Sequence, residues 1–261
     1  MFLLPIIRQL SIIGSDHYYD ECSLIPLRRI TQPELLDSLD RATFSPSELA
    51  GNLADIARLN RLTGTTARIC HATLSLVPPG MKRITILDVG TGAGDVPILL
   101  KRSAIRRGLD VCIVAADWHP GVVQCLTRSI TALRADALRL PIPYKGIDIL
   151  ICSQVLHHLT PEQITLALRE FVRVTRCGFV LFDVERSRLA IPAARLLTWA
   201  ISRNRFTRHD GPLSVRRAYR RGEMRDLAAQ AGLNVPTLAI RTVFPFRWIG
   251  IYRYKDFEWL T

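Results

Sequence analysis

The stretch ILDVGTGAGDVPILL, residues 86–100, is where residue types first converge on chemistry. A short apolar run ends at Asp88 and opens into Gly90, Gly92 and Gly94, after which a helix is expected. Alternating glycines remove the Cβ atoms from a turn and permit positive φ, so a ligand can lie against bare backbone. The spacing differs from the G-x-G-x-x-G of dinucleotide binders: counting from Gly90 the sixth residue is Asp95, and from Gly92 it is Pro97. The Lys and Ser/Thr of a phosphate-binding P-loop are missing as well. An aspartate at the mouth of the loop disfavours a pyrophosphate and suits a cationic group. Asp95 is placed to cap the following helix, with Pro97 in its first turn. Two further places offer proton transfer: His157–His158 beyond a strand end, and His209–Asp210 in a basic stretch. Imidazole changes charge near neutrality, so His157 and His209 are the candidate general bases. His157 is expected to face the site and His158 to pack against the sheet.

The elements that must position these residues follow from periodicity. Pro33–Leu39 and Ser47–Arg61 read as helices, the second capped by Ser45 or Ser47, and another helix covers Thr66–Leu76 up to Pro78-Pro79-Gly80. RITILDVG, VCIVAAD, IDILICSQ and CGFVLFDV then read as four strands. The helices DVPILLKRSAIRRG, Pro120–Ile130 and TPEQITLALREFVRVT fall between them, with polar RADALRLPIPYKG ahead of the third strand. Strands alternating with helices of this length make a parallel α/β sheet covered on both faces. The rhythm changes at the end. After a helix closing at Gly232, TLAIRTVF and WIGIYRY are separated by only Pro245-Phe246-Arg247. That gap is too short for a crossover, so they pair antiparallel. Between Arg186 and Arg221 lies an insertion: an amphipathic stretch to Arg203 followed by a turn-like RHDGPLS.

Composition sets outer limits. The chain has 261 residues, 48% of them hydrophobic and 22% charged, as in an ordinary globular protein. No apolar run reaches the roughly 20 residues a bilayer span needs. MFLLPIIRQLSIIG at the start is apolar, but Pro5 and Arg8 interrupt it and no basic n-region precedes it, which argues against a signal peptide. The six cysteines show no C-x-x-C pair and no His at metal spacing. They read as buried thiols of a cytoplasmic protein, with no metal expected. The net charge of +12 is uneven: residues 186–225 hold eleven arginines against Asp210 and Glu223. Such a stretch serves a solvated surface, an anionic small molecule, an acidic partner, nucleic acid or an anionic membrane.

D-x-G-x-G-x-G after a first strand resembles motif I of the class I S-adenosylmethionine-dependent methyltransferases, and the likeness extends over about Ala50–Tyr254. It implies a Rossmann-like parallel sheet flanked by helices on both faces and closed by an antiparallel C-terminal strand pair. It further implies that Asp88, Gly90, Thr91, Gly92 and Gly94 border S-adenosyl-L-methionine. Asp117, ending the second strand, would accept the ribose hydroxyls, with Trp118 against the adenine. Asp136 would take the adenine amino group and the Ala137 amide would meet the ring. Ser153, in SQVLHHL, would lie between cofactor and acceptor. LADIARLNRLTG, GDVPILL, LHHL and HDGPLSVRRAY resemble bacterial methyltransferases of the ubiquinone/menaquinone and polyketide type. That likeness implies methyl transfer to O or C of a small lipophilic or anionic, aromatic acceptor.

The expected organisation is an N-terminal extension (1–25), a helical cap (26–80) and a cofactor-binding core (81–261) carrying a lid at 186–221. A lid resting on a membrane fits the Arg-flanked amphipathic stretch. Two other readings remain: an RNA methyltransferase using the basic 186–225 segment, and a cofactor-binding module without catalysis that serves an acidic protein. Against nucleic-acid base chemistry, Ser153-Gln154-Val155-Leu156 replaces the Asn/Asp/Ser-Pro-Pro-aromatic tetrad, and Cys152 has no Pro beside it.

Overall fold

A computed structural model describes residues 27–35, 45–126, 130–233 and 237–254. Period-two alternation decides which residue faces which layer. Strands β1 (Arg83–Val89), β4 (Ile147–Ser153) and β5 (Thr175–Val184) occupy the centre of the sheet. Ile84, Ile86, Ile149, Ile151, Val180 and Phe182 point to one face, where they meet Ile69, Leu100 and Ala104. Those three come from α2 (Thr65–Ser75) and α3 (Asp95–Ile105). Leu87, Val89, Leu150, Cys152, Phe179 and Leu181 point the other way, onto Ile164, Phe171, Met224 and Leu227. Those are carried by α5 (Pro161–Val174) and α8 (Arg221–Gln230). Each fully buried apolar side chain contributes about 1.5–3 kcal/mol, so two covered faces hold the sheet.

The strand order is β3-β2-β1-β4-β5-β7-β6, adding β2 (Asp110–Asp117), β3 (Thr131–Arg134), β6 (Leu238–Val243) and β7 (Arg247–Arg253). The first five strands run parallel, while β7 pairs antiparallel with both β5 and β6, as the short Pro245–Arg247 link requires. Helix starts follow their caps. In α1 (Pro46–Leu62) Ser45 and Glu48 form a capping box, and in α5 Thr160 and Gln163 form another.

Several expectations change. Just ahead of the polar segment lies an unexpected strand, β3, a four-residue edge strand along Val114–Asp117 that shares only Arg134 with it and is too short to alternate visibly. The helix expected over Pro120–Ile130 is the six-residue α4 (Pro120–Cys125). Asp95 does not cap α3; Gly94 holds that position at φ +70°. RHDGPLS is no turn but lies inside α7 (Arg205–Arg217), where Asn204 caps the start and Phe206, Leu213 and Val215 are buried. Tertiary burial overrides the local Gly-Pro signal there. Gly211 lets α7 approach α6 (Ala190–Ile201) so closely that a Cβ would stand 2.6 Å from Thr198. Of the helix expected at Pro33–Leu39, residues 36–39 lie outside the described residues, as does the extension at 1–25. Among the described residues no helix is long and apolar enough to cross a membrane.

Gly178 makes the β5–β7 seam possible. Its φ is +146°, and a Cβ there would stand 2.0 Å from the Tyr252 carbonyl oxygen. Gly178→Ala is expected to cost about 3 kcal/mol of stability. Gly232→Ala, at φ +84° with nothing within 4 Å of the added carbon, should cost only about 1 kcal/mol of backbone strain. Chemical denaturation of the two variants against the parent measures both.

Candidate active site

In a parallel sheet the connections after two neighbouring central strands leave on opposite faces where the order reverses, and a crevice opens between them. Here that point is β1/β4. The turn after β1 carries Gly90, Gly92 and Gly94 at φ +69°, +52° and +70°. The Gly90 and Thr91 amides donate to the Ala116 carbonyl at 2.8 and 3.0 Å, which ties the turn to the end of β2. A Cβ on Gly90 would stand 2.1 Å from Val155, so its bareness serves the packing of the next loop. Gly92 differs: a Cβ there meets nothing within 4 Å, because it would project into open space.

Three carboxylates surround the turn. Asp88 accepts from Thr91 Oγ1 at 2.8 Å, while its Oδ1 is enclosed without a partner. Burial raises its pKa to about 7; the Thr91 bond opposes this, and Asp95 and Asp117 add to it. Burial also raises Asp95, whose carboxylate accepts from Thr66 at 2.6 Å and Asn60 at 3.4 Å. Asp117, raised by burial too, accepts from the Gly92 amide at 3.2 Å and the His119 amide at 2.9 Å. A crevice with three buried carboxylates, one of them keeping an unpartnered oxygen, suits a cation and disfavours a diphosphate.

Beside the turn lies a cavity of about 320 Å³. Gly90, Thr91, Gly92, Ser153 and Gln154 form its sheet side. Ile56 and Leu59 of α1, Ala190, Ala193 and Leu197 of α6, and Val215 of α7 supply its apolar walls. Gln154 sits at φ +56°, held by its amide on Phe182 O and its side chain on Asn60. Asp117, Trp118, Asp136 and Ala137 are not among the cavity-lining residues. Trp118 is 65% exposed, beside the Arg134 guanidinium. Asp136 caps its own turn through the Leu138 amide at 2.9 Å.

The histidines part company. His157 lines the cavity but is locked: Nδ1 lies 2.7 Å from Asp183 Oδ1 and Nε2 3.5 Å from Glu34 Oε1. Its own amide donates to Asp183 Oδ2 at 3.1 Å. Burial alone would lower its pKa, but Asp183 and Glu34 outweigh that and carry it to about 10. Two carboxylates at its ring nitrogens favour the charged imidazolium, which weighs against the expected role of general base. His158, expected against the sheet, also lines the cavity, its ring 4.2 Å from that of His157 and its Nε2 3.9 Å from Glu34 Oε2. His209 does not line the cavity; its Nδ1 meets neighbouring Asp210 at 2.7 Å, and of this pair only Asp210 reaches the walls.

Glu34 escaped sequence reasoning. It arrives on a strap, residues 27–35, whose only sequence trait is proline at 33. Arg29 donates to the carbonyls of Arg217, His157 and Leu159 at 2.6–3.1 Å, and Arg186 donates to Leu27 O at 2.8 Å. The Leu35 amide meets Asp210 Oδ1 at 2.9 Å, and Ser214 donates to Glu34 at 2.6 Å. Burial would raise the Glu34 pKa, but the bond to His157 and the electrostatic influence of His158 and His157 bring it to about 2. Donor atoms of Glu34, His157 and His158 lie within 4.8 Å of one another, a metal-ligating set of types that no spacing announced. His157 lies between the Asp183 and Glu34 carboxylates, which makes an ion-paired row of the three.

A parallel sheet with a glycine turn, buried acids and an adjoining apolar cavity at the strand ends defines an α/β enzyme that handles a cationic cofactor beside a small acceptor. Residues 86–178 match the family described as a methyltransferase domain. Among solved structures of similar shape, a SAM-dependent methyltransferase from Aquifex aeolicus is 18% identical at TM-score 0.51, covering 80% of this chain and 98% of that one. Human N-acetylserotonin methyltransferase in complex with SAM is 18% identical at TM-score 0.55, covering 81% and 57%. A putative S-adenosyl-L-methionine-dependent methyltransferase from Methanococcus maripaludis is 14% identical at 0.54, covering 84% and 99%. At these identities the likeness is one of fold. A search of curated protein sequences finds no match. Residues 86–178 thus match a methyltransferase domain, and the chain is an enzyme that uses S-adenosylmethionine. The acid-rimmed turn, with the Asp88 oxygen unpartnered and Gly92 facing open space, fits that cationic cofactor.

Because the folded-state pKa of Asp88 lies above its unfolded value, its contribution to stability is complete below about pH 4 and lost as pH rises through about 7. Asp88→Asn should therefore stabilise the ligand-free protein at pH 8, on the order of 4 kcal/mol, and leave it nearly unchanged at pH 4. Thermal melts across that range show the sign directly.

Proposed function

We propose that the enzyme methylates an oxygen or carbon of a small lipophilic, aromatic acceptor held in the cavity beside the glycine turn. The observation that carries this reading is the cavity itself: about 320 Å³, largely apolar, and joined to the turn through Gly90–Gly92. That volume suits a small molecule. The arginines of residues 186–225 do not form its walls, which weighs against RNA.

S-adenosylmethionine supplies, when bound, a methyl group already activated on a sulfonium. The protein's own work is to position and to exclude water. In this reading Gly92 leaves room for the cofactor beside Thr91 and Ser153, and Asp117 grips its sugar. Trp118, Asp136 and Ala137 receive its base. α6 and α7 close over the acceptor. His158 takes the proton from an acceptor hydroxyl, and Glu34 stabilises the resulting imidazolium. His157, already charged, holds Glu34 ionised and in place.

S-adenosylhomocysteine at a hundred times its Kd should stabilise the protein by about 2.7 kcal/mol. Gly92→Val, whose Cβ meets no protein atom within 4 Å although φ is +52°, and Asp117→Ala should abolish that shift. His158→Ala should lower kcat by roughly 10²–10⁴-fold with homocysteine-product affinity intact. Labelled-methyl transfer to hydroxylated quinones and alkylresorcinols, with RNA alongside, tests the class; label entering RNA alone would refute it.

The outer side of α6 bears Leu189, Leu196 and Trp199, each more than 60% exposed, with Arg188, Arg195 and Arg203 nearby. Such a face supports contact with an anionic bilayer. Flotation with phosphatidylglycerol vesicles should capture the protein at low salt, and Trp199→Glu should release it.

A further inference from the structure

Among the described residues, the buried and half-buried arginines around the cavity are well partnered, with one exception. Arg186 donates to Leu27 O, Ala218 O and Glu223; Arg29 reaches three carbonyls; Arg217 reaches those of His157 and His158. Arg247 is the exception. It begins β7, directly after Phe246 at φ +50°, and lines the cavity. Its Nη1 donates to the Pro245 carbonyl at 3.0 Å, while its Nε is fully enclosed with no acceptor. Among the described residues no carboxylate forms an ion pair with it. Asp183 is the nearest negative influence, and both its oxygens already serve His157. Burial, and then the like charge of Arg68, pull its pKa down to about 10. A guanidinium offers five donors in a planar fork matched to a carboxylate. Leaving one half-enclosed and unpaired is costly, unless an anion completes it.

We propose that Arg247 is the recognition site for a carboxylate on the acceptor, so that the substrate class is a lipophilic aromatic acid. This deepens the acceptor class proposed above and rests on that reading. A carboxylate could also belong to the amino-acid portion of the cofactor, but sheet order disfavours that source. Arg247 lies on β7, three strands from β1 in the order β1-β4-β5-β7, which is roughly 14 Å across the sheet from the glycine turn at ordinary strand spacing. The acceptor's anion would then sit on the far side of the cavity from the cofactor turn, with the apolar walls of α1 and α6 around its body.

The test uses two probes that differ by one carboxylate: 2,4-dihydroxy-6-pentylbenzoic acid and 5-pentylresorcinol. Calorimetric titration into the protein loaded with S-adenosylhomocysteine should show the acid binding at least tenfold more tightly. Arg247→Gln should erase that preference, and Arg247→Lys should keep part of it. S-adenosylhomocysteine affinity should be the same in all three proteins, which also reports that the variants are folded. The proposal is overturned by equal or absent binding of the acid in the parent protein, by a preference that survives in Arg247→Gln, or by a loss of homocysteine-product affinity in that variant. Failure of the broader reading is separate: it appears as no label transfer to any aromatic acceptor, whichever probe binds.

Discussion

The divergence of the chain after β1 and β4 is the constraint from which the rest of the site follows. Parallel strands must hand their connections to one face or the other, and at this pair the hands are opposite. The gap that results cannot be filled by helix. The turn after β1 therefore has to be bare, because Val155 from the neighbouring connection fills the space a side chain at Gly90 would need. The same crowding keeps water from Asp88, so its carboxylate is tuned by exclusion more than by any partner. Topology produces the crevice, and the crevice produces the electrostatics.

The second half of the site depends on paired charge. His157 stands between Asp183 on the sheet and Glu34 on the strap; the two carboxylates favour its charged form, and it in turn favours an ionised Glu34. An ion pair buried this deeply repays its desolvation only when its remaining donors and acceptors are met. Here they are: Asp183 takes two backbone amides beside the ring, and Glu34 takes the Ser214 hydroxyl. The cluster lines the cavity beside His158, whose ring lies 4.2 Å from that of His157.

Much of this was legible in the chain. The strand alternation in RITILDV and IDILICS, the capping residues Ser45 and Thr160, and the short link before β7 each carry their structure locally. The glycine turn was legible because its physics is local too. What escaped reading was long-range. β3 has four residues and borrows its order from β2. The helical state of RHDGPLS comes from packing on α6, against its own Gly-Pro. The identity of the charged histidine needed Asp183 and Glu34, which are respectively 26 and 123 residues away. No pattern within a window could reveal that a strap near the start of the chain would complete a cavity built from its middle and end.

That strap has a consequence for how the enzyme comes into being. A nascent chain emits residues 27–35 first and the carbonyls that receive Arg29 more than a hundred residues later. Until then the carboxylate at 34 has no cation, and the imidazole at 157, once made, has only half its counter-charge. The strap thus ties an early segment across the domain, to carbonyls 128 to 188 residues further along the chain.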